Sequence, residues 1–238
     1  MEKLDLTHYK EKGWAVVAGL FDTDACDGLI EHMMALHAGS KTLEGFAPRA
    51  PDAWDRTHNQ HWYDPVARDW LIAPPLEGPL RQILDDDPEG IQTMYFWVGS
   101  EQGRHQDQYY LPGCMSAWIA LVDVDEDNGT IWVQSGSHKG RLLTKDDFAD
   151  GAEFANWDYN AAVDELARRN GLPEEPVLVR RGDVVFFDGT LVHRGGPIGQ
   201  PGSSRHVLAN HYIARGFEAW PHTGWPRVAF DGSQRRTA

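Results

Sequence analysis

The chain has 238 residues and a formal net charge of −14, from 22 Lys and Arg against 36 Asp and Glu. That acid excess speaks against nucleic acid or an anionic membrane as partner, although a pocket can still be locally basic. A hydrophobic content of 41% with ten Trp argues against a disordered chain, and the length suits one domain. Met1–Trp14 is charged and lacks the apolar stretch of a signal peptide, and no run of about 18 apolar residues occurs anywhere. Cys26 and Cys114 lie far apart, which fits a reducing compartment and gives no zinc spacing. A cytoplasmic protein is expected, of unspecified oligomeric state.

In chain order, Leu4–Glu11 reads as a short polar helix and Gly13–Val17 as a first strand. Asp22 or Thr23 can cap a helix running to about His37, with Cys26, Leu29, Ile30, Met33 and Leu36 at helical spacing. Thr42–Asp64 is polar and aromatic without periodicity, either a pocket lid or a surface excursion packed by its own Trp residues. Two helices follow, from Asp64-Pro65 to Ile72 and over Pro74–Leu84. Strands are expected over Ile91–Gly99 and Met115–Val124, then a hairpin at Asp125–Gly129, where Asn128-Gly129 suits a type I′ turn, returning over Thr130–Gln134. Lys145–Gly171 is a mostly helical insertion; Pro176–Arg180, Asp183–Phe187 and Arg205–Ile213 are further strands. Phe217–Ala238 is expected to be irregular, with a frayed basic end at Arg235-Arg236. Helices first and antiparallel strands later predict a mainly β fold with flanking helices, a double-sheet jelly roll with its core over about residues 13–213.

The chemistry centres on Gly103-Arg104-His105-Gln106-Asp107. Side chains at i and i+2 of a strand share a face, so His105 and Asp107 can aim an imidazole and a carboxylate at one point. A distant second histidine would complete a 2-His-1-carboxylate face with open positions, as in non-haem Fe(II) oxygenases. His193, just after the apolar run Phe186-Phe187, is the candidate. A His-x-Asp pair alone is a weak signal, since either residue can be purely structural. Arg205 follows at the start of the next strand, where a guanidinium suits the far carboxylate of a 2-oxoacid. Trp118 and Gln92 lie on neighbouring predicted strands.

His105-Gln106-Asp107-Gln108-Tyr109-Tyr110, Ser116-Ala117-Trp118, Asn128-Gly129-Thr130-Ile131, Gly136-Ser137-His138, Gly182-Asp183 and His193…Arg205, taken in order, resemble the phytanoyl-CoA dioxygenase family. The resemblance spans roughly Gly13 to Ile213 and implies an Fe(II)- and 2-oxoglutarate-dependent oxygenase on a double-stranded β-helix. It implies iron ligation by His105, Asp107 and His193, and 2-oxoglutarate contacts from Arg205, Trp118 and Gln92. Some members carry a hydroxyl residue two positions after the distal histidine. Here that position is Gly195, so the contact must come from elsewhere, with Thr190 and Ser203 as candidates. Related halogenases replace the carboxylate with a small residue, so Asp107 favours hydroxylation.

Arg56, Asn59, Arg104 and Tyr109 are the candidate substrate contacts, and two inward arginines would suit a small anionic metabolite. Gln106 has no assigned role. His211 shares its strand face with Arg205 and is either a support for the site or a core histidine; His138 is more simply a turn residue; His8, His32 and His37 are expected on the surface. The expected reaction is hydroxylation of an unactivated C–H bond with O2, releasing succinate and CO2. A non-catalytic jelly-roll binding protein and a cupin-type dioxygenase without 2-oxoglutarate are the competing readings.

Overall fold

Residues 3–49 and 55–236 are described in a computed structural model of the chain. The helices begin where polar caps allow. Asp5 accepts from the His8 amide ahead of α1 (Leu6–Lys12), and Asp22 from the Ala25 amide ahead of α2 (Thr23–His37). Asp64 caps α3 (Pro65–Leu71), with Pro65 where its missing N–H costs nothing. α4 (Pro74–Leu84) follows, and α5 (Tyr159–Asn170) lies in the predicted insertion.

Among the described residues, ten strands form two sheets. β1 (Trp14–Val17), β6 (Val184–Asp188), β3 (Met115–Ala120), β8 (Val207–Ala214), β2 (Pro88–Phe96), β9 (Pro226–Ala229) and β10 (Gln234–Arg236) lie side by side in that order. β5 (Glu174–Pro176), β4 (Ile131–Gln134) and β7 (His193–Gly195) make the smaller sheet. All the pairings are antiparallel, and the arrangement is the expected jelly roll.

Strand alternation divides the core. Val184, Phe186, Ala117, Ile119, Leu208 and Tyr212 face the helices, packing against Leu29, Met33, Leu36, Leu76 and Leu80. Val185, Phe187, Trp118, Val207 and Ala209 face inward, against Ile131 and Val133 of the smaller sheet. Both faces of the sheet are covered at β1 and β6, which is why these strands read as apolar runs rather than alternating ones.

Four expectations change. Asp125–Gly129 is not a type I′ hairpin: Asn128 is absent from the residues with positive φ, and the turn carries the chain from the large sheet to the small one. The Pro176–Arg180 strand starts earlier, at Glu174, and Val179 makes an isolated bridge to Val124. His32 and His37 are buried, not superficial; His32 Nε2 lies 2.7 Å from Asp64, joining α2 to the cap of α3.

The C-terminal region is also not frayed. β9 pairs with β2 and β10 with β9, so the sheet extends well past residue 213. Glu89 on β2 accepts from Arg227 Nε at 2.5 Å and from Arg235 Nε at 2.9 Å. Arg227, 2% exposed like Glu89, gives its other N–H groups to the carbonyls of Ala214, Arg215 and Phe217. The edge of β2 beyond β9 is covered by residues 55–59, through Thr57 N to Tyr95 O and Asn59 N to Thr93 O, both 2.9 Å, and the bridge Arg56↔Phe96. Residues 55–59 of the expected lid are thus fixed to the sheet.

Candidate metal centre and its two cavities

The site lies where the sheets open. His193 begins β7, and His105 forms an isolated bridge with it, N–H to carbonyl in both directions at 2.9 and 3.1 Å. Asp107 is not on a strand: it opens a one-turn 3-10 helix over Asp107–Tyr109. Turn and bridge together still bring the three side chains to one point. Asp107 Oδ1 lies 3.5 Å from His105 Nε2 and 3.6 Å from His193 Nε2, and one donor atom from each residue falls within 4.8 Å of the others.

The surroundings fix which atoms face inward. His105 Nδ1 meets the Gly103 carbonyl at 2.8 Å, and His193 Nδ1 meets the Leu191 carbonyl at 2.9 Å. A carbonyl only accepts, so each Nδ1 carries a proton and each Nε2 is the atom turned toward Asp107. Burial, and then the charge of His193, push the His105 imidazole down to about 3, so it is neutral. Burial alone would raise the Asp107 carboxyl; His193 and the hydrogen bond and charge of His211 outweigh it and hold the group ionised, below the usual carboxylate range. Two imidazole nitrogens and a carboxylate, all buried, suit a divalent cation with open positions.

A polar row on the large sheet supports this face. Gln92, His211 and Ser116 are neighbours across β2, β8 and β3. Ser116 donates to Asp107 Oδ2 at 2.7 Å, and His211 Nε2 lies 3.4 Å from the same oxygen. Of the two readings for His211, the supporting one holds. Ser116 lay inside a quoted motif, but nothing in the sequence marked it as the partner of Asp107.

Two cavities meet at His105 and Asp107, and His193 lines the narrow one. The narrow one is lined by Ser100, Trp118, His193, Gly195 and Arg205. Arg205 is 1% exposed, over the rings of Phe96 and Trp118 at 5.1 and 5.5 Å. Its Nη1 donates to the Gly129 carbonyl, and no carboxylate forms an ion pair with it among the described residues. Burial, followed by repulsion from Arg56, lowers its pKa to about 10.

The larger cavity, about 580 Å³, is lined by Arg56, Gln92, Tyr109, Lys145 and Trp225 besides His105 and Asp107. Gln92, expected at the co-substrate, lines this cavity and not the narrow one. Arg56 and Tyr109 line it as expected of substrate contacts. Asn59 does not: at φ 55° it turns out of the row beside β2, and Arg56 and His58 are the residues of that segment that line the cavity. Arg104 is also elsewhere, paired with Glu174 at 3.0 Å and Asp164 at 2.7 Å. Gln106 is fully buried and braces the insertion, donating to the Arg141 and Thr190 carbonyls and accepting from the Leu143 amide.

The hydroxyl near Gly195 is neither Thr190, which is bonded to Asp188 and His138, nor Ser203, which reaches the Asp127 carbonyl. A Cβ on Gly195 would lie 2.9 Å from Ser100 Oγ, so Ser100 occupies that space. The Ser100–Arg104 turn hid this, because its position follows from the pairing of His105 with His193. His138 is a turn residue, its Nε2 3.2 Å from the Lys10 carbonyl.

Residues 9–207 match the sequence profile described as Phytanoyl-CoA dioxygenase (PhyH). The chain belongs to the phytanoyl-CoA dioxygenase family. Among curated members it is 28% identical over 179 residues to Phytanoyl-CoA dioxygenase 1 of Oryza sativa subsp. japonica, covering 71% of this chain and 60% of that protein. It is 26% identical over 186 residues to Phytanoyl-CoA dioxygenase domain-containing protein 1 of Rattus norvegicus, with the same coverage. The chain thus spans about 60% of the length of these relatives.

Among solved structures, EctD from S. alaskensis with 2-oxoglutarate and 5-hydroxyectoine superposes with a TM-score of 0.68 at 19% identity, over 87% of this chain and 74% of that one. The non-heme alpha ketoglutarate dependent carbocyclase SnoK from nogalamycin biosynthesis gives 0.67 at 18% identity, over 88% and 82%. At these identities the likeness is one of fold. The family profile ends at residue 207, so β9, β10 and the cavity residues His222 and Trp225 lie outside it.

Proposed function

We propose that this chain is an Fe(II)- and 2-oxoglutarate-dependent dioxygenase that hydroxylates a C–H bond of a small anionic metabolite, releasing succinate and CO2. The observation that carries the reading is the clustering of His105, Asp107 and His193 where two cavities meet at His105 and Asp107, the narrow one holding Arg205, which has no ion pair among the described residues. Family membership supports the same chemistry.

His105, Asp107 and His193 would hold the metal, which with 2-oxoglutarate and O2 supplies the oxidising chemistry. Ser116 and His211 keep Asp107 ionised and pointed at the two imidazoles. The Gly103 and Leu191 carbonyls hold the ring tautomers. Arg205 offers a desolvated guanidinium to the far carboxylate of the co-substrate, and the Trp118 ring flanks it. Ser100 offers a hydroxyl in the same cavity. Arg56 gives the larger cavity a cation for an anionic substrate. That cavity's size suits one small organic molecule.

The experiment is direct. Under anaerobic conditions, Fe(II) plus 2-oxoglutarate should give a weak visible charge-transfer band, and air should then release succinate even without substrate. Folded protein showing neither would sink the proposal. Screening metabolites for stimulated succinate release identifies the substrate.

A further inference from the structure

We infer that the larger cavity recognises a flat aromatic or conjugated carboxylate, its charged end at Arg56 and its ring against Tyr110, His222 and Trp225. The inference rests on the oxygenase reading for what becomes of the molecule, and on the cavity alone for how it is recognised.

Charge comes first. In a chain of net charge −14, this cavity is lined by Arg56 and Lys145, and its one carboxylate among the described residues is Asp107, which faces the two imidazoles. Arg56 has no ion pair among the described residues. Its Nη1 donates to Gln102 Oε1 at 2.9 Å, the guanidinium lies over the Phe96 ring at 5.5 Å, and Nε is buried without a partner. A half-buried guanidinium with spare donors and no ion-paired acid suits a planar anion and repels an amine.

The second observation is the aromatic wall. Tyr109 stacks on Tyr159 with centroids 3.9 Å apart, and Tyr110 packs edge-on to both while staying 49% exposed. His222 stacks on Trp225 at 4.7 Å, and its Nε2 donates to the Tyr110 carbonyl at 2.8 Å. That bond joins two segments 112 residues apart into one wall of rings. Flat rings with few rotatable bonds favour a flat partner over a flexible chain.

Spacing is the third. Arg56 sits level with Phe96, and Met94 and Gln92 continue the cavity along β2. Trp225 directly precedes β9, which joins β2 at Glu89 and Gly90. Phe96 to Gln92 covers about 13 Å at about 3.3 Å per residue. A ring carrying a short carboxylate side chain fits within that span.

The test is anaerobic titration calorimetry of the full chain, with and without Fe(II) and 2-oxoglutarate. The probes are 3-phenylpropanoate, 3-cyclohexylpropanoate, 3-phenylpropanamide and 3-phenylpropylamine. Phenylpropanoate should bind at least about tenfold more tightly than its amide, and the amine should not bind. Arg56→Gln should weaken phenylpropanoate about 10- to 100-fold and leave the amide unchanged, while Arg56→Lys keeps part of the affinity. Trp225→Leu should remove the preference for phenyl over cyclohexyl. Equal binding of carboxylate and amine, no effect of Arg56→Gln, or no binding by any probe overturns the inference. Carboxylate binding without succinate formation under air would keep the recognition and reject the oxygenase reading; succinate formation without carboxylate binding would do the reverse.

Discussion

Replacing Arg205 with Met separates co-substrate binding from folding. The guanidinium is 1% exposed, with Nη1 bonded to the Gly129 carbonyl and Nε buried without a partner. A pKa lowered from 12.5 to about 10 corresponds to about 3 kcal/mol held in the uncompensated charge, at about 1.4 kcal/mol per tenfold. The Phe96 and Trp118 rings offset about 2 kcal/mol of this and the carbonyl bond about 1 kcal/mol. Met fills similar space without the charge. The variant free of 2-oxoglutarate should therefore match the parent within about 1 kcal/mol, or about 2–4 °C in Tm. Truncating an ordinary buried side chain of this bulk costs about 3–5 kcal/mol. Ligand binding behaves oppositely: losing one partner of a desolvated charge pair costs about 2–5 kcal/mol, at least about 30-fold in affinity. Thermal unfolding with and without 2-oxoglutarate reads both quantities. The parent should gain about 2.7 kcal/mol at a hundred times its Kd, and the variant less than about 1 kcal/mol at the same concentration. A variant destabilised by more than about 3 kcal/mol that keeps its 2-oxoglutarate shift would refute the reasoning.

Asp107→Ala should weaken Fe(II) binding more than about 100-fold in calorimetry, beyond what residues behind the ligands produce; retained affinity would remove Asp107 from the ligand set. Ser100→Ala should raise the KM for 2-oxoglutarate about fivefold, the worth of one hydrogen bond, whereas Gly195→Ser should lower Tm, because its Cβ would lie 2.8 Å from the Gln102 amide; parental stability in the Gly195→Ser variant contradicts this packing. Arg227→Met leaves three carbonyls without their donor and should cost about 3–5 kcal/mol, read as faster hydrogen exchange across 214–229 with the 2-oxoglutarate shift intact; uniform loss of protection would argue against a local clamp. Glu174, held by Arg104 and Arg194, has its pKa lowered by those partners against the raising effect of burial. Its contribution is present above the unfolded value of about 4.3 and fades as pH falls below it. The Tm gap between the parent and Glu174→Gln should therefore shrink on acidification; a constant gap refutes the assignment.

The donor set was legible because its chemistry is carried by residue type, and order along the chain supplied the rest. The strand-parity argument for His105 and Asp107 reached the right convergence by a partly wrong path, since Asp107 stands on a 3-10 turn. Residues whose direction depends on distant partners were not legible. Arg104 turns to Glu174, 70 positions away, and Arg227 to Glu89, 138 away, so the first passed for a substrate contact and the C-terminal cations for a loose end. Asn59 failed because nothing local showed residues 55–59 bonding alongside β2 and Asn59 leaving that row in the left-handed region. Asn128-Gly129 is a sound local turn signal, yet the strands flanking it belong to different sheets.

The placement of β10 has a consequence for solubility. An outermost strand exposes unpaired amides and carbonyls to which a strand of another molecule can add. Here that position is held by three exposed residues, two of them Arg235 and Arg236, on a short strand. Two like charges facing two like charges make edge-to-edge pairing of identical copies unfavourable. A chain cut before Gln234 would instead present β9, buried and mostly apolar, as the sheet's rim. Such a truncation should form soluble aggregates in size-exclusion chromatography before it loses its fold.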